Sequence, residues 1–167
     1  MPPSFDLESF LPYRLNRAAE LISLSFAREY KQRYQMTRPE WRTLAALGSA
    51  GRMTATEVGA HSNMHKTKVS RAVRELEQRR WLKRTEDDAD RRVEHLELTA
   101  AGLKAYREIA DLARTYQASL EQVLGAGAIE RIEAGLGVGS TLNCDFAAIP
   151  MAYRTQGTAD ETDLLAD

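Results

Sequence analysis

Lys66, Thr67, Lys68, Ser70, Arg71, Arg74 and Gln78 crowd into one short stretch, "HKTKVSRAVRELEQRR". These side chains are cations and hydrogen-bond donors, the chemistry that meets phosphate oxygens and base edges. A second group follows in "DADRRVEHLELTAAG", where Asp90, Arg91 and Arg92 precede a short alternating run. A long cation at the tip of a hairpin can enter a minor groove, whose negative potential is strongest where the groove is narrow. Asp90 can pair with an arginine and hold the loop's shape. A salt bridge confined to the loop, with no nucleic-acid role, is the other reading, and it is worth little if exposed.

The charge balance does not decide this, because the chain of 167 residues carries a net charge of −1. Its distribution says more. Between His65 and Arg84 stand Lys66, Lys68, Arg71, Arg74, Arg79, Arg80, Lys83 and Arg84, with Glu75 and Glu77 as the only acids. Beyond residue 120 acids dominate instead. A local basic patch on a nearly neutral chain is a phosphate-binding footprint or a solvated helix face, and charge alone does not separate the two.

Periodicity does. At 100° per residue, Val69, Ala72, Val73 and Leu76 share one face of a helix running from about His65 to Gln78. Thr67, Arg71, Arg74 and Gln78 take the opposite face, flanked by Lys68 and Glu75. An apolar inner face and an outer face of donors are what the second helix of a helix-turn-helix needs. "HSNM" is the turn before it, with Asn63 able to take an unusual backbone angle. Thr54 or Thr56 starts the preceding helix, with Val58 packed inward. "WLKRT" (81–85) and "RVEHLEL" (92–98) read as strands, with Leu96 and Leu98 on one face and Val93, His95 and Glu97 on the other. Strand parity sets Arg92 with Asp90, and Arg91 on the opposite face. A hairpin directly after a helix-turn-helix is a wing.

The flanking elements must hold this unit. Residues 5–33 read as one long helix, with Leu11, Leu15, Ala18, Ile22 and Phe26 at helical spacing and Leu7, Leu21 and Leu24 widening the face. That face exceeds the needs of a small core and points to a partner subunit. "TRPEWRTLAALG" is a helix with Thr37 or Arg38 before Pro39, Glu40 in its first turn and Gly48 ending it. After Thr99, the residues Tyr106, Ile109, Ala113, Tyr116, Leu120 and Val123 form a heptad-like seam. Glycines weaken the following segment, where Ile129 and Ile132 suit only a short helix. The predicted fold is mainly α with a small β-hairpin wing: a winged helix-turn-helix DNA-binding lobe plus a helical dimerisation region. The expected divisions are 1–35, a dimerisation helix; 36–99, the DNA-binding lobe; 100–139, further dimerisation helices; and 140–167, a divergent, peripheral tail.

Apolar residues make up 43% and charged residues 28%, ordinary for a soluble globular chain. No apolar run is long enough to span a membrane, and "MPPSFDLESF" lacks the parts of a secretory signal. The lone Cys144 excludes an intrachain disulfide framework and a cysteine-rich zinc site. His61, His65 and His95 lack metal-ligand spacing. No glycine-rich phosphate loop, metal cluster or nucleophile elbow is present, so neither an enzyme nor a cofactor is expected. A cytoplasmic, non-membrane protein is the expectation.

The stretches "RPEWRTLAALG", "KTKVSRAVRELEQRRWLKR" and "DRRVEHLELTAAG" together resemble the MarR family of bacterial transcriptional regulators. Val69, Ser70 and Arg71 match that family's recognition helix. Asp90 and Arg92 fit its D-x-R wing pattern. With the long first helix, the resemblance covers residues 5 to about 136. It implies a triangular homodimer, dimerised through N- and C-terminal helices, gripping a pseudo-palindrome. It also implies release by a small, often phenolic or anionic aromatic effector held between the dimer region and the DNA lobe. The sequence departs from the family at Arg80, where glycine is usual, which predicts a differently shaped helix end. It departs again in the glycine-rich C-terminal segment. The cysteine of oxidant-sensing members is absent, and Cys144 reads as a passive thiol.

Arg14, Arg17, Trp41, Arg42 and His61 are the residues that a family-like arrangement would bring to an aromatic acid, arginine pairing with the carboxylate and tryptophan covering the ring. Helix-surface solvation and core filling account for the same residues without a ligand. The functional expectation is a repressor that binds an inverted-repeat operator in double-stranded DNA as a homodimer and is released by such an effector. The alternative is a winged-helix module that binds protein or RNA.

Overall fold

A computed structural model describes residues 5–141, with side chains to residue 136. Cys144 and the acidic tail lie outside the described residues. The chain divides into two compact units, residues 1–119 and 120–167.

In the first unit a 3-10 turn, Leu7–Ser9, leads into α1, Leu11–Tyr34. Then come α2, Arg38–Ala50; β1, Met53–Thr54; α3, Ala55–Ser62; α4, Lys66–Gln78; β2, Leu82–Glu86; and β3, Glu94–Leu98. The helix α5, Ala100–Leu124, runs on into the second unit, whose described remainder is α6, Ala126–Thr141. The strands form one antiparallel sheet in the order β1-β3-β2. Leu82 faces Leu98 and Arg84 faces Leu96, so Leu82 and Leu96 turn inward and are buried. Their neighbours in the core are Leu44, Leu47, Val58, Val69, Val73, Leu76 and Ile109.

Local chemistry explains the helix starts. Thr37, not Arg38, is the N-cap of α2, and its hydroxyl accepts from the Glu40 N–H. Thr54 caps α3 in a reciprocal capping box with Glu57, whose carboxylate accepts from the Thr54 N–H at 2.7 Å. That backbone bond, and the Thr54 hydroxyl after it, hold the Glu57 pKa below the usual carboxylate range. Asn63 takes the left-handed conformation at φ 47° and turns the chain into α4. The turn is shorter than "HSNM" suggests, because His61 and Ser62 still belong to α3 and only Asn63 and Met64 lie between it and the His65 N-cap of α4.

The structure differs from the sequence reading in several places. Gly48 does not end α2. The helix continues to Ala50 and stops at Gly51, whose φ is 85°. Gly48 instead lets the Tyr106 ring lie on α2, since a Cβ there would meet the ring at 2.4 Å. The short strand β1 was not anticipated, because two residues carry no readable alternation. The glycine-rich segment is helical over all of Ala126–Thr141, so composition understated it. The seam of α5 is partly occupied within the chain: Ile109 is buried, and Tyr116 packs on Phe26 of α1 while its hydroxyl donates to the Ile22 carbonyl at 3.0 Å. Apolar side chains are left open on α1, at Leu11, Leu15, Leu21, Ile22 and Leu24, and also at Leu103, Val123 and Leu124 of α5 and at Ile132 and Leu136 of α6.

Arg80 is a further correction. It takes φ 59° and makes the turn that a glycine would make, with the Trp81 N–H donating to the Leu76 carbonyl at 2.9 Å. The helix end is therefore shaped conventionally and is strained at a non-glycine residue. Left-handed backbone costs an L-residue roughly 1–2 kcal/mol, partly offset because glycine has more unfolded-state freedom to lose. Arg80→Gly should raise stability by on the order of 1 kcal/mol. A thermal melt checks this, and an unchanged or lower midpoint would mean that the arginine side chain makes a compensating contact.

Candidate nucleic-acid interface

The helix α4 is apolar inside and cationic outside. Val69, Ala72, Val73 and Leu76 are buried, while Lys66, Thr67, Lys68, Ser70, Arg71, Arg74 and Gln78 are all exposed. His65 starts the helix as its N-cap, its ring Nδ1 accepting from the Thr67 N–H at 3.4 Å. The burial of four apolar side chains anchors the helix, so the polar face is held outward by packing and not by polar contacts of its own.

The basic run separates into two populations. Among the described residues no ion pair is formed by Lys66, Lys68, Arg71, Arg74 or Arg80. The others are engaged: Lys83 pairs with Glu97 at 2.9 Å, and Arg79 with Glu40 at 3.5 Å. Arg84 donates through Nε to Glu77 and through Nη1 to Glu94, both at 2.8 Å. Only the first population offers uncompensated positive charge, so the footprint is smaller than the sequence run implied.

The wing is built by aspartates. Asp87 accepts at Oδ1 from the N–H groups of Ala89 and Asp90, and its Oδ2 lies 2.9 Å from Nε2 of His95. The histidine contact first, and then those two N–H groups, hold the Asp87 pKa down to about 2. The Val93 N–H donates to the Asp90 carbonyl at 2.8 Å, so Asp90 to Val93 form a β-turn with Arg91 and Arg92 at its centre. The expected strand parity does not apply, because β3 begins only at Glu94. Asp90 instead receives Arg92 through Nε and Nη2 at 3.0 and 3.1 Å, and accepts the Arg92 N–H as well. The Arg92 side chain is still 90% exposed. Arg91 is also exposed and forms no ion pair among the described residues. The turn therefore presents one tethered cation and one free one.

Arg92→Ala and Arg91→Ala should each weaken DNA binding and flatten the log–log salt slope by about one unit per half-site, with the melting temperature nearly unchanged. Asp90→Ala should reproduce part of the Arg92 defect, because the turn loses its acceptor. Titrations of one duplex across a salt series check all three. Unchanged affinity and slope in both arginine variants would show that the wing does not touch DNA.

A cavity of about 480 Å³ lies between α2, α3 and α5. Trp41, Arg42 and His61 line it together with Ser49, Asn63 and Tyr106. Arg14 and Arg17 do not. They sit on the N-terminal half of α1, where Arg17 pairs with Glu8 at 3.2 Å. Ser49, Asn63 and Tyr106 were missed as lining residues, because Tyr106 reads as part of a seam and Asn63 as a turn former. Among the described residues no group of His, Cys, Asp or Glu is placed to hold a metal ion, and no helix is long and apolar enough to cross a membrane.

A buried-faced recognition helix beside a three-stranded wing defines a winged helix-turn-helix. The family model described as MarR family matches residues 34–93. YwoH of Bacillus subtilis, described as an HTH-type transcriptional regulator, is 29% identical over 99 residues, which cover 59% of this chain and 71% of that protein. SPO1453 from Silicibacter pomeroyi, a MarR family transcriptional regulator, is 25% identical with a TM-score of 0.72, over 83% of this chain and 98% of that one. BpsR of Bordetella bronchiseptica is 20% identical with a TM-score of 0.70, over 81% of this chain and 96% of that one. The structure of BpsR is described as a mechanism for regulation of its DNA binding by 6-hydroxynicotinic acid. Over residues 34–93 the chain is similar to the MarR family of transcriptional regulators, and its winged-helix fold is the one seen in SPO1453.

Proposed function

We propose that this chain is a MarR-type transcriptional regulator that binds an inverted-repeat operator as a homodimer, inserting α4 into the major groove and the Asp90–Val93 turn into the adjacent minor groove. The observation that carries the reading is the outer face of α4, where exposed, unpaired Lys66, Lys68, Arg71 and Arg74 surround Thr67, Ser70 and Gln78. A face without an apolar or aromatic anchor suits nucleic acid better than protein. The open apolar side chains of α1 supply the reason to dimerise, and two-fold symmetry of the protein would be mirrored in the site.

An aromatic acid is the effector class that suits the cavity beside α3. Trp41 offers a ring face and Arg42 a guanidinium that forms no ion pair among the described residues, while Ser49 and Asn63 offer hydrogen bonds. His61, Ser62 and Asn63 belong to α3 and its turn, so an occupant there presses on the support of α4. Repression, lifted by such a ligand, is the regulatory sense proposed.

Selection of bound duplexes from a random pool tests this reading, with light scattering on the free protein and a screen of small hydroxyaromatic acids for release. The expected result is an inverted repeat, a dimer at micromolar concentration and binding that falls steeply with salt. A DNA-competent monomer would overturn the dimer. Salt-independent binding, or capture of RNA in preference to duplex DNA, would overturn the operator reading.

A further inference from the structure

Arg79 stands one residue past the recognition helix and faces away from the exposed polar side of α4. Its Nη1 donates to the carbonyl of Tyr34 at 2.8 Å and its Nη2 to the carbonyl of Gln35 at 3.2 Å. Tyr34 is the last residue of α1 and Gln35 its C-cap, in the left-handed conformation. A helix C-terminus carries partial negative charge and carbonyls with no partner inside the helix. The Arg79 guanidinium meets both needs for α1. It also stands 3.5 Å from the Glu40 carboxylate in the first turn of α2, a side chain that is 7% exposed. No hydrogen bond satisfies Oε2 of Glu40, so charge attraction from Arg79 is its compensation. The guanidinium also lies 5.4 Å from the centroid of the Trp81 ring.

The same junction is tied from α1 and α5. The Tyr34 ring meets Trp81 edge-on at 5.8 Å, and the Tyr34 hydroxyl donates to Glu108 of α5. Burial first, and then that bond, push the Tyr34 pKa up to about 12. The Thr99 hydroxyl donates to the Arg80 carbonyl at 2.7 Å, and the Thr99 N–H to the Trp81 carbonyl at 3.0 Å.

We infer that Arg79 is a positioning residue for DNA recognition: it fastens the C-terminal end of α4 to the C-terminal end of α1, so that the pitch of the recognition helix is set by where α1 ends. The inference rests on the reading of α4 as the DNA-contacting helix. Arginine suits the task because its rigid planar fork holds two carbonyls from separate nitrogens while facing a carboxylate, whereas an ammonium must meet all of them from one nitrogen. Since the guanidinium is spent on carbonyls and Glu40, it contributes no phosphate contact. Its loss should misplace the base-reading face without lowering the number of phosphate charges met.

The experiment compares wild type, Arg79→Met and Arg79→Lys on two duplexes, one selected by the wild-type protein and one of random sequence, across a salt series well below the melting temperature. The expected result is a specific-to-random affinity ratio lowered about tenfold in Arg79→Met, with the salt slope unchanged. Arg79→Lys should recover only part of the ratio, and it reads the same quantity if the methionine variant does not fold. Three results would overturn the inference: a slope reduced by about one unit per half-site, which marks a phosphate contact; a wild-type ratio in a variant with a lowered melting temperature, which marks a role in stability alone; or full recovery by lysine, which marks charge and not grip. Failure of the wild type itself to prefer its selected duplex would instead sink the reading of α4.

Discussion

Arg71→Ala and Arg74→Ala should each cost about 1–3 kcal/mol of specific DNA binding, and together they should reduce the protein to its non-specific affinity. Both side chains sit on the exposed face of α4, opposite Val69, Val73 and Leu76. Neither forms an ion pair among the described residues, so neither must break a protein contact to reach a base. Bidentate pairing of a guanidinium with the O6 and N7 atoms of guanine is the commonest specific contact, and its loss falls on the cognate duplex alone. A titration of each variant on the selected duplex and on a random one checks this. Equal losses on both would assign these arginines to phosphates. Stability should be untouched, because the helix is held by its buried face.

Among the described glycines, Gly102 should tolerate replacement by alanine least. Gly102 lies in the first turn of α5 and is buried. A Cβ there would stand 2.0 Å from the Trp81 carbonyl oxygen and 2.9 Å from its carbon. Both are backbone atoms, and that oxygen already accepts the Thr99 N–H, so the clash is not relieved by a rotamer change. Alanine favours a helix over glycine by roughly 1 kcal/mol, while overpacking of this kind costs 1–3 kcal/mol and occasionally more. The clash wins, and the melting temperature should fall by several degrees. Gly135→Ala is the control. A Cβ at Gly135 in α6 meets nothing within 4 Å, and that variant should be neutral or more stable. Because Trp81 belongs to the junction that carries Arg79, Gly102→Ala should also lower DNA specificity at temperatures where the chain is folded. An unchanged melting temperature would mean that the first turn of α5 yields at little cost.

Much of the interface is legible in the sequence because it depends on local periodicity. Val69, Ala72, Val73 and Leu76 can share one side of only one kind of element, and once they are buried, Thr67, Arg71, Arg74 and Gln78 must point outward. The caps are legible for the same reason, since Thr54 with Glu57, and Asn63 in its turn, act over three or four residues. Asp90 and Arg92 are near neighbours, so their pairing is a local matter too.

What only the tertiary structure decided concerns residues far apart in the chain. Arg79 and Arg71 are the same residue type eight positions apart, but Arg79 turns back to carbonyls that lie 44 and 45 residues earlier. Nothing in its neighbourhood in sequence distinguishes an inward arginine from an outward one. Arg84 is likewise withdrawn from the basic patch by Glu94, which reaches it through strand pairing. Arg14 and Arg17 are separated from Trp41, Arg42 and His61 because the cavity is made by α2, α3 and α5 without the start of α1. Gly48 reads as helix punctuation and serves, like Gly102, as a contact point, since a missing Cβ acquires meaning only from the element that packs against it. Periodicity sets which way a helix faces. The partner that each face meets is set by loop closure and core packing, which bring distant backbone together and carry no local signature.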